Sequence, residues 1–68
     1  MIKKQHGWMN WIYVKNQIEP VDHEFFKKKE QAEYARIKAY EEIDGVDNVT
    51  LVEGIYNFFS GEFVEISN

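Results

Sequence analysis

The consecutive residues Asp22, His23 and Glu24 form the densest group of metal-type ligands in the chain. Carboxylate oxygens and an imidazole nitrogen together would suit a divalent metal ion. However, adjacent side chains at the start of a helix point in different directions, and acids in a first helical turn are favoured by the helix dipole. We therefore expect Asp22 to cap a helix, and we predict neither a metal site nor a bound cofactor.

Nucleophilic catalysis has few candidate side chains. The chain has no Cys, and its only hydroxyls besides Tyr belong to Thr50, Ser60 and Ser67. None of these three is spaced with His and Asp in a pattern typical of a catalytic triad. The four Gly residues are isolated and match neither dinucleotide-binding nor phosphate-binding loops. These patterns predict that the protein is not an enzyme.

Charge is distributed unevenly along the chain. Residues 1–38 hold eight cations and five acids, whereas residues 39–68 hold seven acids and neither Lys nor Arg. Parts of +3 and −7 therefore make up the net charge of −4. The seven acids are Glu41, Glu42, Asp44, Asp47, Glu53, Glu62 and Glu65. Such an asymmetry bears on partners rather than on fold.

Lys27, Lys28 and Lys29 form the single basic run. The run contains neither Arg nor interleaved aromatic residues, the pI is near 5.0, and the distal acids would repel a polyanion. We expect these lysines to lie on a solvated face, and direct binding of nucleic acid is not expected.

The chain is short and rich in aromatic residues. Its 68 residues make one domain, in which only about 60% of the unfolded surface can be buried. Because Cys is absent, disulfides and thiolate metal sites are excluded. Eleven aromatic side chains are more than so small a core can cover. Either some rings lie at the surface or an oligomer interface covers them.

Hydrophobic spacing predicts the elements that position these side chains. Trp8 to Lys15 alternates as a strand, and a turn with Pro20 follows. From Asp22 the period becomes helical, and a helix of about five to six turns is predicted, with Gly45 just past its end. Two further strands, Asn48 to Asn57 and Glu62 to Ser67, follow, with a bulge marked by Gly54 in the first.

These elements predict a small α+β fold of the order β-α-β-β. The sheet would be three-stranded and mixed, with its first two strands parallel and the helix on one face. In the main alternative, residues 18–25 contain a fourth strand, the helix begins near Lys27 and the order is ββαββ. Residues 1–6 are predicted to be a flexible tail, and residues 7–68 to be the single domain.

Location and origin are predicted from composition. Gln5, His6 and Gly7 interrupt the apolar stretch that a secretion signal needs, and no run approaches the ~20 apolar residues of a membrane span. A cytoplasmic protein without membrane attachment is expected. The abundance of Lys, Ile, Asn, Glu and Phe is typical of AT-rich genomes and indicates a low-GC bacterium or its phage.

The acidic half of the chain carries the functional hypothesis. At the end of the predicted helix, the macrodipole disfavours Glu41, Glu42 and Asp44, so stability alone would place Lys or Arg there. The carboxylates of the acidic half either keep an aromatic-rich domain soluble or bind a basic partner. We predict a non-enzymatic protein-binding module, in one form a phage-encoded inhibitor or modulator of a basic nucleic-acid-processing protein. The predicted partner-binding residues are Trp11, Tyr13, Glu41, Glu42, Asp44, Glu53, Glu62 and Glu65.

The alternative hypothesis is a structural domain that forms homo-oligomers. The apolar stripe of the predicted helix consists of Phe25, Ala32, Ala35, Ala39 and Ile43. Tyr34 and Ile37 lie off this stripe, so a lone domain would leave them exposed. A homodimer would cover them, and would also cover Trp11 and Tyr13.

Overall fold

Four antiparallel strands and one helix make up the fold, and the computed structural model describes residues 3–66. The elements are β1 (Lys4–Val14), β2 (Asp22–Phe26), α1 (Lys29–Glu42), β3 (Val46–Asn57) and β4 (Phe63–Glu65). The strands are ordered β2-β1-β3-β4 across the sheet, so the two long strands are central. The predicted α+β class is confirmed, and the order is that of the ββαββ alternative.

The prediction of a three-stranded mixed sheet is wrong. β2 and β3 both run antiparallel to β1, so they run parallel to each other on either side of it. α1 is the crossover between these two parallel strands, with β1 inserted between them. The predicted crossover therefore exists, but it starts from β2 rather than from β1.

The helix is shorter than predicted because its first turns belong to a strand. Asp22, the predicted N-cap, lies in β2, where its Oδ1 accepts a hydrogen bond of 2.8 Å from the His23 N–H. The residue that caps α1 is Lys28, which has extended backbone and no side-chain cap bond. At the other end Ile43 is the C-cap, and Gly45 has a φ of +79° that turns the chain into β3.

Two alanines bring α1 close to the sheet. Ala32 and Ala39, both on the predicted apolar stripe, are buried. Ala39 packs in a core cluster with Ile12 of β1 and Val49 of β3. Near the start of the helix, the Nδ2 of buried Asn10 donates a hydrogen bond of 2.8 Å to the Ala32 carbonyl. The small side chains thus allow α1 to cover the centre of one sheet face.

The strand boundaries differ from the predicted ones at several points. β1 already starts at Lys4, within the segment predicted to be a tail. The register shift of the sheet lies between Tyr13 and Val14 rather than at Gly54. β4 ends at Glu65, and the rest of the predicted strand includes Ser67, which lies outside the described residues, as do residues 1–2 of the predicted tail.

Candidate protein-binding face

The sheet face opposite α1 collects most of the aromatic side chains. Since Asn10 and Ile12 contact the helix side, strand alternation places Met9, Trp11 and Tyr13 on the other face. The pairing of the strands extends this assignment to β2, β3 and β4. We name this surface the aromatic face; it consists of Trp11, Tyr13, His23, Phe25, Tyr56 and Phe63, together with Phe58 just after β3.

The rings of the aromatic face contact one another across the strands. Phe25 of β2 stacks on Tyr56 of β3, with ring centroids 5.1 Å apart. Phe63 of β4 lies 6.3 Å from Phe25 and 6.5 Å from Trp11. Phe58 meets Tyr56 edge to face at 5.0 Å. Each such pair contributes about 0.5–1.5 kcal/mol beyond area burial, so the cluster is held in one arrangement.

A pair of glycines makes this arrangement possible. Gly7 of β1 is paired with Gly54 of β3 at the centre of the sheet, and both are buried. A Cβ atom on Gly7 would lie 2.5 Å from Cζ of Phe25, and one on Gly54 would lie 2.6 Å from Cζ of Phe63. Rings from the two edge strands therefore lie over the backbone of the two central strands.

The aromatic face is only half-buried. Met9, beneath the rings, is 1% exposed, whereas Phe58 is 48% exposed, His23 is also exposed, and the remaining rings are intermediate. Within residues 3–66, the one helix, α1, lies on the opposite side of the sheet and leaves this face uncovered. Contiguous exposed apolar surface of this kind is typical of interaction sites.

The aromatic face carries little charge, and that charge is acidic. Among its strand residues in the described part of the chain, Glu65 is the one carboxylate, and neither Lys nor Arg occurs. Glu62 lies in the turn just before β4. His23 is the one imidazole, and its ring lies 5.2 Å from that of Trp11. The surface is therefore apolar at its centre and acidic at the β4 edge.

The structure divides the predicted acidic surface into separate groups. Glu65 lies on the aromatic face, but Glu53 is paired with Trp8 and points to the helix side. The Glu53 Oε2 lies 2.6 Å from the His6 Nε2, so this carboxylate already has a partner. The acids are thus not one continuous field across the sheet.

A second acidic group lies at the end of α1, away from the aromatic face. It contains Glu41, Glu42 and Asp44, all exposed. Glu42 is paired with Lys38, with 3.0 Å between Oε1 and Nζ. The hydrogen bond from Lys38 to Glu42 and the negative charges of Glu42 and Glu41 raise the pKa of Lys38. Part of this group is therefore neutralised locally.

The residues of the predicted oligomer interface are also separated. Tyr34 and Ile37 of α1 are 65% and 59% exposed, as the helical spacing indicates. Trp11 and Tyr13 lie on the aromatic face, on the other side of the sheet. One flat interface therefore cannot cover all four residues.

Sequence reasoning missed Phe25, Tyr56, Phe58 and Phe63 as members of the site. Phe25 was assigned to the helix, so its place beside β1 was not visible. The available signal was a Gly in each of the two long strands, since a strand glycine often marks close approach of another group. Those two glycines, Gly7 and Gly54, mark the centre of the aromatic face.

The Asp22-His23-Glu24 group does not come together as a ligand set. Alternation along β2 places His23 on the aromatic face and its two neighbours on the helix side. Among residues 3–66, no three acidic or imidazole side chains are grouped so that they could hold a metal ion. In the same part of the chain, no helix has the length and apolar character to cross a membrane.

Comparison with known proteins identifies no relative from which a function could be transferred. No protein-family model matches the chain, and no curated protein or solved structure shows significant similarity to it. Function is therefore inferred from the aromatic face, its exposure and its charge.

Proposed function

We propose that this chain is a non-enzymatic protein-binding module that docks its aromatic face onto a basic partner protein. The observation that carries the proposal is the interlocked aromatic cluster on the sheet face that α1 leaves uncovered. Rings that already contact one another lose little freedom on binding, so they act as preorganised anchors.

The dimensions of the face suit a small protein interface. With strands about 4.8 Å apart and about 3.3 Å per residue, the 11, 5, 12 and 3 residues of β1 to β4 span a projected area of roughly 500 Å². Standard interfaces bury about 800 Å² per partner, so neighbouring loop residues such as Phe59, which is 64% exposed, would complete the contact.

Electrostatics supports a basic partner rather than a nucleic acid. Glu65 and the adjacent Glu62 would pair with Lys or Arg at the rim of the partner's surface, and the chain's net charge of −4 would speed encounter. A polyanion needs cations along the surface it contacts, and the strand residues of the aromatic face within residues 3–66 include neither Lys nor Arg.

The specific form that we favour is an inhibitor or modulator, encoded by a phage or mobile element, of a nucleic-acid-processing protein. Proteins of that class carry basic surfaces, which an acidic and aromatic binder can occupy. The AT-rich character of the composition supports a low-GC bacterial host.

The test is capture from a nuclease-treated lysate of low-GC bacterial cells, at low and at high salt, with mass spectrometry as readout. The variant F58A/E65K changes the aromatic face at two exposed positions. The matched control I37A/E33K makes the same kinds of change on exposed positions of α1. Circular dichroism checks that both variants remain folded.

We expect one basic protein to be captured by the wild type and by I37A/E33K, and to be lost with F58A/E65K and at high salt. Capture of the same protein by both variants alike would show that the aromatic face is not the docking surface.

The second candidate function, homo-oligomerisation, is favoured by the exposure of Tyr34 and Ile37 on α1. In that case I37A would lower the apparent mass measured by light scattering at high concentration. A wild-type protein that remains monomeric under those conditions would exclude this candidate.

A further inference from the structure

β2 forms an edge of the sheet, and its outer backbone groups have no strand partner within residues 3–66. The Val21 N–H donates to the Ile12 carbonyl at 2.8 Å, so the backbone groups of Ile12 point toward β2. Because direction alternates along antiparallel strands, Glu24 and Phe26 bond to β1, whereas His23 and Phe25 point outward. The edge thus presents the N–H and C=O of Phe25 to an incoming strand.

On the other side of the sheet, the outer backbone groups of β3 are largely protected. Along β3, β4 pairs with residues 54–56, and side chains of α1 bond to the outer backbone groups nearer the start of the strand. The Tyr40 hydroxyl accepts the Val49 N–H at 2.9 Å, and the Arg36 Nε donates to the Val49 carbonyl at 2.8 Å. Such protection is how proteins prevent strand addition at an edge. At the β2 edge, the His23 N–H donates to Asp22 Oδ1, while no side chain within residues 3–66 bonds to the backbone of Phe25.

A groove lies between β2 and α1, beside this edge. It consists of two open depressions of about 340 Å³ and 530 Å³, both lined by Tyr34 and Ala35. Ile43 lines the first depression and Phe26 the second, so each has apolar residues in its lining. We name these two depressions the β2 groove. A strand added to β2 would direct alternate side chains into this groove.

The charges of the β2 groove select its occupant. Carboxylates of Glu24, Glu30 and Glu42 line it, and the one cation among its lining residues, Lys38, is already paired with Glu42. Antiparallel pairing of His23 with Phe25 of a second copy would place two Glu24 side chains opposite each other, which disfavours this register of self-pairing. Like charges directly opposite are destabilising, whereas a Lys or Arg opposite Glu24 is favourable.

We propose that the β2 edge binds an extended segment of a partner protein in which basic and apolar residues alternate. Its basic side chains face Glu24 and the β2 groove, and its apolar side chains continue the aromatic face beside Phe25. This binding mode is strand addition, in which main-chain bonds give affinity and alternate side chains give selectivity. The proposal goes beyond the docking of the aromatic face, because it uses the backbone edge of β2 and the β2 groove, and it does not require a partner to cover the aromatic face.

The test uses hydrogen exchange of the Phe25 amide, followed by NMR on the full chain. The probes are two short synthetic peptides, one with alternating Lys and Val and one with alternating Glu and Val. Strand addition converts the outward Phe25 N–H into a bonded one. At a Lys–Val concentration of twice the Kd, its exchange should slow about threefold, since only a third of the molecules remain free.

A charge-swap variant makes the test specific. E24K should weaken binding of the Lys–Val peptide by about fivefold and should improve binding of the Glu–Val peptide, since it replaces a favourable cross-strand charge pair by two like charges. E33K, on the exposed side of α1, is the matched control and should leave both affinities unchanged.

Three results would overturn the proposal. They are an unchanged Phe25 amide at millimolar Lys–Val peptide, equal protection by both peptides, and equal behaviour of E24K and E33K. None of these results bears on capture through Phe58 and Glu65, so the two proposals fail independently.

Discussion

Replacing Gly7 by Ala tests whether the paired glycines organise the aromatic face. In the native structure the new Cβ would lie 2.5 Å from Cζ of Phe25 and closer still to the Phe26 carbonyl oxygen. Ordinary contacts of a Cβ begin near 3.4 Å, so the ring must move by about 1 Å and the strands must separate slightly.

The expected loss of stability follows from the contacts that this ring makes. Phe25 packs against Tyr56, Phe58 and Phe63, and each pair contributes about 0.5–1.5 kcal/mol. We expect half of these contacts to be lost, and overpacking to cost about 1–3 kcal/mol more. The stabilisation of ~0.5–1 kcal/mol that Ala usually gives over Gly in a strand offsets part of this cost. We expect G7A to lower the free energy of unfolding by about 2–3 kcal/mol.

The assay is urea denaturation followed by tryptophan fluorescence, with G61A as control. A Cβ on Gly61 meets nothing within 4 Å, but the φ of +76° there disfavours Ala. Its expected cost is therefore only about 1 kcal/mol. If G7A were as stable as the wild type, or more stable than G61A, Phe25 would not be held over Gly7 and our account of the aromatic face would be wrong.

Three further substitutions test the contacts that hold the fold. Y40F removes the hydroxyl that accepts the Val49 N–H and should cost about 1 kcal/mol in urea denaturation. N10D replaces the buried donor to the Ala32 carbonyl by a carboxylate and should cost more than about 2 kcal/mol at pH 7. Because burial raises the pKa of such a carboxyl, this loss should shrink as the pH of a thermal denaturation series is lowered toward about 4. N57A removes the side-chain oxygen that accepts two backbone N–H groups in the turn before β4, and should lower the thermal midpoint by several degrees.

The strand pattern of the sequence was sufficient to predict the faces of β1. Alternation from Trp8 to Lys15 predicts that Trp8, Asn10 and Ile12 share one face, and the structure has them on the helix side. The pattern failed at Asp22–Phe26 because Phe25 falls by coincidence on the helical stripe that continues through Ala32 and Ala39. Residues Asp22–Phe26 form a strand because they pair with β1. This pairing joins residues distant in sequence, so no local pattern contains it.

The acidic site was only partly predictable. Seven carboxylates in thirty residues are visible in the sequence, but their grouping depends on strand register. Gly54 is paired with Glu65, so both lie on the aromatic face, and Glu53, one residue earlier, must point to the helix side. A single step along β3 therefore separates Glu53 from Glu65, although the sequence pattern predicts one partner-binding surface for both.

Because side chains of α1 bond to the outer backbone groups of Val49, the protection of this part of the β3 edge depends on the helix remaining folded. Arg36 and Tyr40 lie in the second half of α1, whose last turn contains acids and no basic residue. When that half of the helix opens, both backbone groups of Val49 lose their partners while β3 stays paired with β1. Conditions that fray the end of the helix would then expose a strand edge, and edge-to-edge aggregation would begin before global unfolding.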